Sequence, residues 1–429
     1  MSSYSILERI IARSLENFPF LKRGAKSIYQ RLNFFYFREP RFQWEVHPKT
    51  KLFTPEEWAN VKNVKKVEGE LFFGYYDKTP WSQDTSRMLL HRKKQGHTLE
   101  LLVFDRQKQD VYAVGTSRTW NYQQGTMAQW LPGSKGRLII YNDLFKGQLV
   151  SRIVTLDGKE ESTIPWPVQT VHPGGLKALS LNYIRLARLR PEYGYAVKAG
   201  NFDAGQPLHR DGIWEVDLTT GKGELVITLA ELYAYQPRPG MKNSDHKINH
   251  ILYSRQGSRF AFMHRWIGPR GKFSRLYCAD SRGKGLNLLL DDRMISHYHW
   301  YDEGHLLVYA RTADSGDHYY LINVETGERE VVDPGVLDAF GDGHPSFSPG
   351  GRWIATDSYP DRARQQRLVL YNLQEQRMIT CGRFLSPLKY NGIYRCDLHP
   401  RWSPDGCWIS FDSTHTGERR SYLLDVSAL

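Results

Sequence analysis

The stretch LHPRWSPDGCWISFDS (398–413), followed by RSYLLDVS (420–427), decides the fold of this chain. It contains a strand, a Ser-Pro-Asp-Gly turn, a second strand, a short loop and a third strand. Asp-Gly between two apolar runs is typical of a hairpin turn, because glycine tolerates the positive φ that such turns need. The same pattern occurs one unit earlier, in GHPSFSPGGRWIATDS (343–358) and RLVLYNLQ (367–374). The two copies indicate a repeated unit of short antiparallel strands.

Five weaker copies precede these two. Each combines apolar runs with a polar turn, and they begin near residues 77, 127, 176, 250 and 297. Seven units with a period of roughly 45–55 residues are typical of a β-propeller, whose blades are small four-stranded sheets. A row of separate small domains is the alternative, but one such unit is too small to bury a core alone. The sequence predicts an all-β fold, a seven-bladed β-propeller with a short N-terminal helical arm.

The last repeat leaves its blade incomplete. It ends at Leu429, shortly after its third strand, so the outer strand must come from elsewhere in the chain. A propeller closes when a strand from the N-terminal side completes the last blade. FQWEVHP (42–48) and KVEGELFF (66–73) are the two candidate segments, and the predicted propeller therefore spans 42–429.

Residues 1–41 lie outside the predicted ring and form a basic, aromatic arm with a surplus of five positive charges. Apolar residues recur at helical spacing over 3–17, which predicts an amphipathic helix there. The following stretch FLKRGAKSIYQRLNFFYFR (20–38) carries basic and aromatic residues. Two interpretations stay open: a helical arm packed on the propeller, or a segment lying on an anionic membrane surface.

The net charge indicates which partners to expect, and the cysteines indicate the cellular compartment. The net charge of +12 favours anionic partners such as acidic glycans. No lysine-rich tail is present, so nucleic acid is not expected. The four cysteines form no CxxC pair, which indicates free thiols in a reducing compartment. Because no secretory signal or long apolar stretch is visible, we expect a cytoplasmic protein, peripheral to the inner membrane if the arm binds lipid.

Four histidines recur at one position of the repeat. Each stands three residues before the aromatic residue that precedes the turn, at intervals of 47, 47 and 55 residues: His250, His297, His344 and His399. The first strand of each propeller blade lines the central channel, so equivalent positions lie around the axis at one depth. Converging imidazoles suit a divalent metal such as Mn²⁺ or Zn²⁺, and equally a general base beside a bound anion. Alternatively, each histidine only forms hydrogen bonds between blades.

Other blades place polar residues near the same level. Tyrosine, lysine and arginine around histidines form an anion-binding, proton-transferring pocket, although these residues are also common on propeller faces. No nucleophile elbow, phosphate-binding loop or dinucleotide fingerprint occurs. The further catalytic candidates are Tyr75, Tyr76 and Arg395. The substrate-binding candidates are Asp77, Lys78, Gln129 and Lys177.

The HPxW/F-S-P-D/G-G units resemble the repeats of TolB-type propellers. Together with the histidines they resemble oligogalacturonate lyases and, more distantly, ulvan lyases, over roughly residues 70–429. The resemblance implies a seven-bladed propeller that binds Mn²⁺ through His and Gln, with a further His and an Arg serving β-elimination. By this resemblance His250 matches the catalytic position, His297 a metal ligand, and His344 or His399 the ligand of the His-Pro motif.

The chain departs from the motif of that family, which resembles Q-x-x-H-P-H. The position of the second histidine holds Ser346 or Arg401, and the position of the glutamine holds Gly341 or Cys396. A complete metal shell would therefore need both His-Pro histidines. The arm and the stretch FGYYDKTPW (73–81) also resemble uncharacterised propellers encoded among bacterial exopolysaccharide genes.

Two functions are weighed. The first is a polysaccharide-lyase-like enzyme that cleaves a uronate-containing glycan by β-elimination. In this enzyme a metal or Arg395 neutralises the carboxylate, His250 takes the C5 proton, and Tyr75 or Tyr76 assists the departing O4. The second is a non-catalytic propeller that binds an anionic glycan or a protein partner in exopolysaccharide assembly. The expected metal ligands are His297, His344 and His399.

Overall fold

The computed structural model describes residue 14 and residues 19–36, 43–268, 271–291 and 294–429. Its strands form seven antiparallel sheets arranged as a β-propeller, so the predicted fold class and blade number are confirmed. Two short strands, β1 (Trp44–Val46) and β2 (Lys51–Phe53), precede the first blade. The predicted helix over 3–17 lies outside the described residues except for Ser14.

The first four blades follow one another along the chain. In each blade the first strand is innermost, and the sheet then runs outward in sequence order. Their strands are β3 (Leu71–Phe72), β4 (Arg87–Lys93), β5 (Leu99–Asp105) and β6 (Asp110–Ser117); β7 (Gln129–Trp130), β8 (Leu138–Phe145), β9 (Gln148–Thr155) and β10 (Glu160–Ile164); β11 (Thr170–Val171), β12 (Lys177–Leu181), β13 (Gly212–Asp217) and β14 (Gly223–Thr228); and β15 (Asp245–Tyr253), β16 (Arg259–Gly268), β17 (Gly271–Asp280) and β18 (Asn287–Leu290).

The last three blades continue the same order. Neighbouring innermost strands contact one another, which places them around the central channel. The strands are β19 (Met294–Trp300), β20 (His305–Thr312), β21 (Gly316–Asn323) and β22 (Arg329–Val331); β23 (Ser346–Phe347), β24 (Trp353–Asp357), β25 (Gln365–Asn372) and β26 (Arg377–Leu385); and β27 (Arg401–Trp402), β28 (Trp408–Ser413) and β29 (Arg420–Asp425).

The ring is closed by β2, which pairs with β29 and places Leu52 opposite Leu424. The prediction that a strand from the N-terminal side completes the last blade is confirmed, but both candidate segments are wrong. FQWEVHP (42–48) supplies β1, which pairs with β26 and gives the sixth blade a fifth strand. KVEGELFF (66–73) supplies β3, the innermost strand of the first blade. The closing strand has only three residues, too few to show an alternating pattern.

The hydrophobic core lies between neighbouring blades. Met263 of the fourth blade shares a cluster with Ile295 of the fifth. At the closure, Leu423 of the seventh blade lies in one cluster with Leu71 of the first. Each small sheet therefore covers its apolar faces only with the help of its neighbours, as a closed ring requires.

Helices are few among the described residues. They are α1 (Pro19–Tyr36), α2 (Pro55–Trp58), α3 (Tyr183–Leu189) and α4 (Leu229–Ala234), with 3₁₀ turns at Val64–Val67, Leu208–Arg210 and Gly392–Tyr394. The helix α1 is the described part of the N-terminal arm. Among the described helices, none has both the length and the apolar character needed to span a bilayer.

Candidate functional site

The four histidines lie where the innermost strands lose their regular pairing. His250 in β15 and His297 in β19 are at β-bulges. His344 and His399 stand two residues before the short strands β23 and β27. His250 and His399 have φ angles of 54° and 49°, a left-handed conformation that is uncommon for a residue other than glycine. Bulges and such conformations re-aim side chains out of the strand alternation.

The structure brings the four histidines together. The ring centroids are 4.1 Å apart for His297 and His344, 4.3 Å for His344 and His399, and 5.9 Å for His250 and His297. Each of the four residues is at most 5% exposed. The repeat position quoted from the sequence thus corresponds to one buried cluster, which we call the histidine cluster.

Two tyrosines fill the channel beside the histidine cluster. The chain leaves β3 at Phe72 and places the ring of Tyr75 5.0 Å from both His250 and His399. The Tyr75 hydroxyl lies 3.1 Å from Nε2 of His250. The hydroxyl of Tyr76 instead donates to the Tyr298 carbonyl and accepts from the Tyr298 amide. Of these two tyrosines, Tyr75 is therefore the one whose hydroxyl forms a described hydrogen bond with a histidine ring of the cluster.

The tyrosine segment is held by a buried ion pair from the seventh blade. The guanidinium of Arg401 lies 2.8 Å from the carboxylate of Asp412 and also donates to the carbonyls of Gly74 and Tyr75. Asp412 in turn accepts from the amides of Phe73 and Gly74. A side chain at Gly74 would clash with the Gln124 backbone at 2.7 Å, and its φ of 127° favours glycine. Arg401, a departure from the lyase motif, therefore positions the tyrosines.

A set of ligand atoms without partners lies at the centre of the cluster. Nδ1 of His344 is 2.8 Å from the Asp357 carboxylate, and Nδ1 of His399 is 2.8 Å from the Gly74 carbonyl. Nε2 of both histidines and Oδ1 of Asp397 are buried without a hydrogen-bond partner. Ligand atoms of these three residues lie within 4.8 Å of one another. Such nitrogen and oxygen donors fit Mn²⁺ or Zn²⁺.

Carboxylates from neighbouring blades orient the histidines. Asp357 accepts from the amides of both His344 and His399 and from the His344 ring, so one side chain fixes two candidate ligands. Nδ1 of His297 lies 3.0 Å from Asp342. Metal-binding histidines commonly have such a second partner, which fixes the tautomer and the ring orientation. Asp342 thus pairs with the histidine of the preceding blade and not with His344, two residues away.

Burial and charge set the protonation of the site. Burial, helped by the positive charges of Arg265 and other neighbours, lowers the pKa of His250 well below its ordinary value. Burial likewise lowers the pKa of His399. Burial would lower the pKa of His344 too, but the carboxylates of Asp357, Asp397 and Asp342 together raise it. Burial raises the pKa of Tyr75, so Tyr75 is a neutral donor beside a neutral His250 near neutral pH.

Arg395 lies at the rim of the cluster. Its Nε donates to Asp397 at 2.6 Å, and its side chain is 22% exposed. The guanidinium also lies 3.4 Å from the Tyr193 hydroxyl and 5.6 Å from the ring centroid of Tyr359. Burial would raise the pKa of Asp397, but Arg395, His344 and His297 together hold it below its ordinary value. The site therefore opens toward Arg395, where a carboxylate ligand meets a cation.

The predicted substrate-binding residues have other partners. Lys78 lies 2.9 Å from Asp77 in a buried ion pair. The Gln129 amide binds the backbone of Met127 and Val171. The half-exposed Lys177, in the second strand of its blade, forms an ion pair with Glu215. Among the described residues, no hydrogen bond or ion pair joins these four side chains to the histidine cluster.

Several residues of the site carry only a weak sequence signal. Asp397 and Asp342 each stand two residues before a His-Pro motif, a spacing that suggests local pairing with that histidine. In the structure Asp397 instead forms a hydrogen bond with Arg395, and Asp342 forms one with His297. Asp357 and Tyr193 have no local signal at all, because they reach the site from other strands and loops.

Fold and site together define a seven-bladed β-propeller with a histidine-lined channel. No protein-family model matches the chain, and no curated protein matches it. An oligogalacturonate lyase solved in complex with manganese is similar at 15% identity and a TM-score of 0.59, with 83% of this chain and 90% of that chain covered. The oligogalacturonate lyase of Vibrio parahaemolyticus is similar at 13% identity and a TM-score of 0.57, covering 89% and 96%.

TolB from Acinetobacter baumannii matches at 15% identity and a TM-score of 0.40, over 79% of this chain and 80% of that chain. The fold expected from the resemblance to oligogalacturonate lyases is confirmed: the chain is a β-propeller similar to theirs. Identities of 13–15% show a shared fold, and the chemistry must be argued from the residues of this chain.

Proposed function

We propose that this protein is a metal-dependent polysaccharide lyase that cleaves a uronate-containing glycan by β-elimination. The observation that carries the proposal is the set of buried, unpartnered ligand atoms of His344, Asp397 and His399, which lies beside the hydrogen-bonded pair of Tyr75 and His250. The fold similarity to two oligogalacturonate lyases supports this class of reaction.

His344, Asp397 and His399 would hold the metal, with His297 next to them at 4.1 Å from the His344 ring. A bound divalent cation supplies the positive charge that neutralises a uronate carboxylate and makes the neighbouring C5 proton acidic. Arg395 lies at the open side of this group and adds a second positive charge for the same carboxylate. The Asp357 carboxylate keeps both His-Pro histidines oriented for this task.

His250 and Tyr75 would move the protons. Tyr75 turns its hydroxyl from Nε2 of His250 toward the leaving O4, which frees the Nε2 lone pair to take the C5 proton. The C4–O4 bond breaks, a C4–C5 double bond forms, and O4 leaves with the Tyr75 proton. The proton on His250 then returns to the Tyr75 oxygen across the 3.1 Å contact, which restores both groups. Tyr76 is not used, because its hydroxyl is bound on both sides by Tyr298.

Two measurements test the proposal. Metal analysis of the purified protein is expected to show one Mn²⁺ or Zn²⁺ per chain, and incubation with uronate polymers is expected to release unsaturated products that absorb ultraviolet light. His250→Ala and Tyr75→Phe should stop product formation, while His209→Ala, an exposed histidine outside the site, should not. A metal-loaded protein that binds acidic glycans without forming unsaturated ends would support the non-catalytic scaffold instead.

We further propose that the arm contacts an anionic membrane surface, which would place the protein in the cytoplasm beside the inner membrane. Helix α1 has no acidic residue over 19–36 and four basic ones. Its exposed apolar side chains recur at helical spacing, and their exposed fractions are 60–83%: Ile28, Leu32, Phe35 and Tyr36. A basic helix with one apolar stripe is the kind that lies in a lipid interface. The four free thiols agree with a reducing compartment.

A further inference from the structure

Two cations face each other in the fourth blade, beside the histidine cluster. Lys247 in β15 and Arg265 in β16 are directly opposite each other in the antiparallel register. Lys247 is only 3% exposed, and Arg265 is partly buried. Like charges directly opposite on neighbouring strands repel each other, and the repulsion grows when the pair is removed from water. Such a pair destabilises the blade unless an anion lies close by or the lysine releases its proton.

Within the described residues neither cation has a carboxylate partner. The Lys247 amino group contacts the Leu189 carbonyl at 3.4 Å. Arg265 donates to the Ile295 carbonyl at 3.0 Å, and its Nε is buried without a partner. By contrast, three other buried arginines of the propeller have a carboxylate within 2.5–2.8 Å: Arg185 with Asp211, Arg275 with Asp291, and Arg401 with Asp412. Arg419 is also buried without a carboxylate, but it donates to two carbonyls and lies 4.4 Å from the centroid of the Tyr122 ring. In the fourth blade, by contrast, two cations face each other, and this arrangement points to an anionic ligand.

The pair lies within reach of the proposed catalytic histidine. Lys247 stands three residues before His250 on β15, and Arg265 binds the backbone two residues before His297. Arg190 lies on the same side, with its guanidinium 5.1 Å from the ring centroid of Tyr193. That ring in turn lies 5.7 Å from the His250 ring. The cations therefore flank the histidine cluster on its fourth-blade side.

We propose that Lys247 and Arg265 form a carboxylate subsite that binds a second acidic sugar unit, next to the unit at the histidine cluster. The subsite rests on the proposed function for its substrate class, and it makes a run of acidic sugars the preferred ligand. Arg265, the more exposed of the two, contacts the carboxylate directly through charge-assisted hydrogen bonds. Lys247, buried behind it, responds by changing its charge.

The charge of Lys247 makes binding dependent on protons. Burial and the positive charges of Arg265, Arg190 and Lys272 lower the pKa of Lys247 to about 6, and Glu192 opposes this only weakly. The small cavity that Lys247 lines also holds the ion pair of Arg185 and Asp211. The free protein near neutral pH therefore carries mostly neutral Lys247. A bound carboxylate raises this pKa, so the complex takes up a proton from solution.

Calorimetric titration with a galacturonate trimer tests the subsite on full-length protein stripped of metal, so that no turnover is needed. Titrations near neutral pH in buffers of different ionisation enthalpy are expected to show proton uptake of up to one proton. Arg265→Met should weaken binding about tenfold or more, as expected for losing a charge-assisted hydrogen bond. Lys247→Met should weaken it less and remove the proton uptake. Lys284→Met, an exposed lysine in a turn of the same blade, is the matched control and should change neither.

Misfolding and the proposed function are separable in this experiment. Lys247→Met replaces a buried amine, mostly neutral near neutral pH, with an apolar side chain of similar length, so its melting temperature should stay equal or rise, whereas a misfolded variant melts lower. If trimer binding depends on Arg265 but the protein has no lyase activity, the proposed subsite stands and the proposed lyase function is wrong. Trimer binding unchanged by Arg265→Met, or no proton uptake by the unmodified protein, would overturn the subsite whatever the activity.

Discussion

The buried histidines in two regions of the propeller differ in one respect. Between the first two blades, both ring nitrogens of His91 have partners, the Phe73 carbonyl and the Thr126 hydroxyl, each at 2.8 Å. Between the last two blades, His344 and His399 each have a partner on Nδ1 and none on Nε2. Burial alone therefore does not identify a site. Several unsatisfied ligand atoms close together do, as at His344, Asp397 and His399, because buried polar atoms without partners are costly unless a ligand supplies them.

The largest effect is expected from replacing His250, the proposed catalytic base of the histidine cluster. His250→Ala removes the proposed base, so the rate of elimination on a uronate polymer should fall by about 10²–10⁴-fold or more. The fold should persist, with an unchanged circular dichroism spectrum. Unsaturated product formed by His250→Ala at the rate of the unmodified protein would assign the cluster to binding alone.

The next effect separates the two kinds of histidine. His344→Ala and His399→Ala should remove the metal from the purified protein, and Asp357→Asn should lower the metal affinity about 10–100-fold because it orients both ligands. His91→Gln should leave the metal content unchanged and lower the free energy of unfolding by about 1–3 kcal/mol. Mass-spectrometric metal analysis and urea unfolding measure these quantities. Equal metal loss in all four variants would erase the distinction.

The pH dependence of the free energy of unfolding tests the interpretation that His91 has a structural role. Burial lowers the pKa of His91 from 6.5 to about 4. Between these values the unfolded chain binds a proton that the folded chain does not, so the free energy of unfolding falls as the pH drops below 6.5. Urea unfolding of the unmodified protein and of His91→Gln should therefore converge toward acid pH. A difference that stays constant from neutral pH to about pH 4 would contradict this prediction.

The smallest effect concerns the arm, residues 1–41. Removal of residues 1–41 should leave the ring folded and reduce co-sedimentation with vesicles of anionic lipid, at about 1 kcal/mol for each basic residue near the surface. High salt should have the same effect on the full chain, since these contacts are screened. Equal vesicle binding by both forms would show that the arm does not bind lipid.

Most of the fold could be predicted from the sequence repeats. Hairpin turns such as Pro404-Asp405-Gly406 set strand and turn locally, and seven copies of a unit too small to fold alone require a ring. The choice of closing strand was not readable, because Lys51–Phe53 pairs with a strand more than 360 residues away and has only three residues. Local pattern specifies a strand, whereas its partner is chosen by the packing of the whole ring.

The candidate site, too, could be predicted from the sequence only in part. The spacing of His250, His297, His344 and His399 put four imidazoles on equivalent strands, and the propeller then places equivalent strands around one axis. By itself, however, the sequence assigned no charge or partner to any of them. Which nitrogen is satisfied depends on groups that folding brings together, such as the Asp357 carboxylate on the next strand for His344 and the Gly74 carbonyl of the first blade for His399. Periodicity is a local property of the chain, but hydrogen-bond partners and burial exist only once distant segments meet.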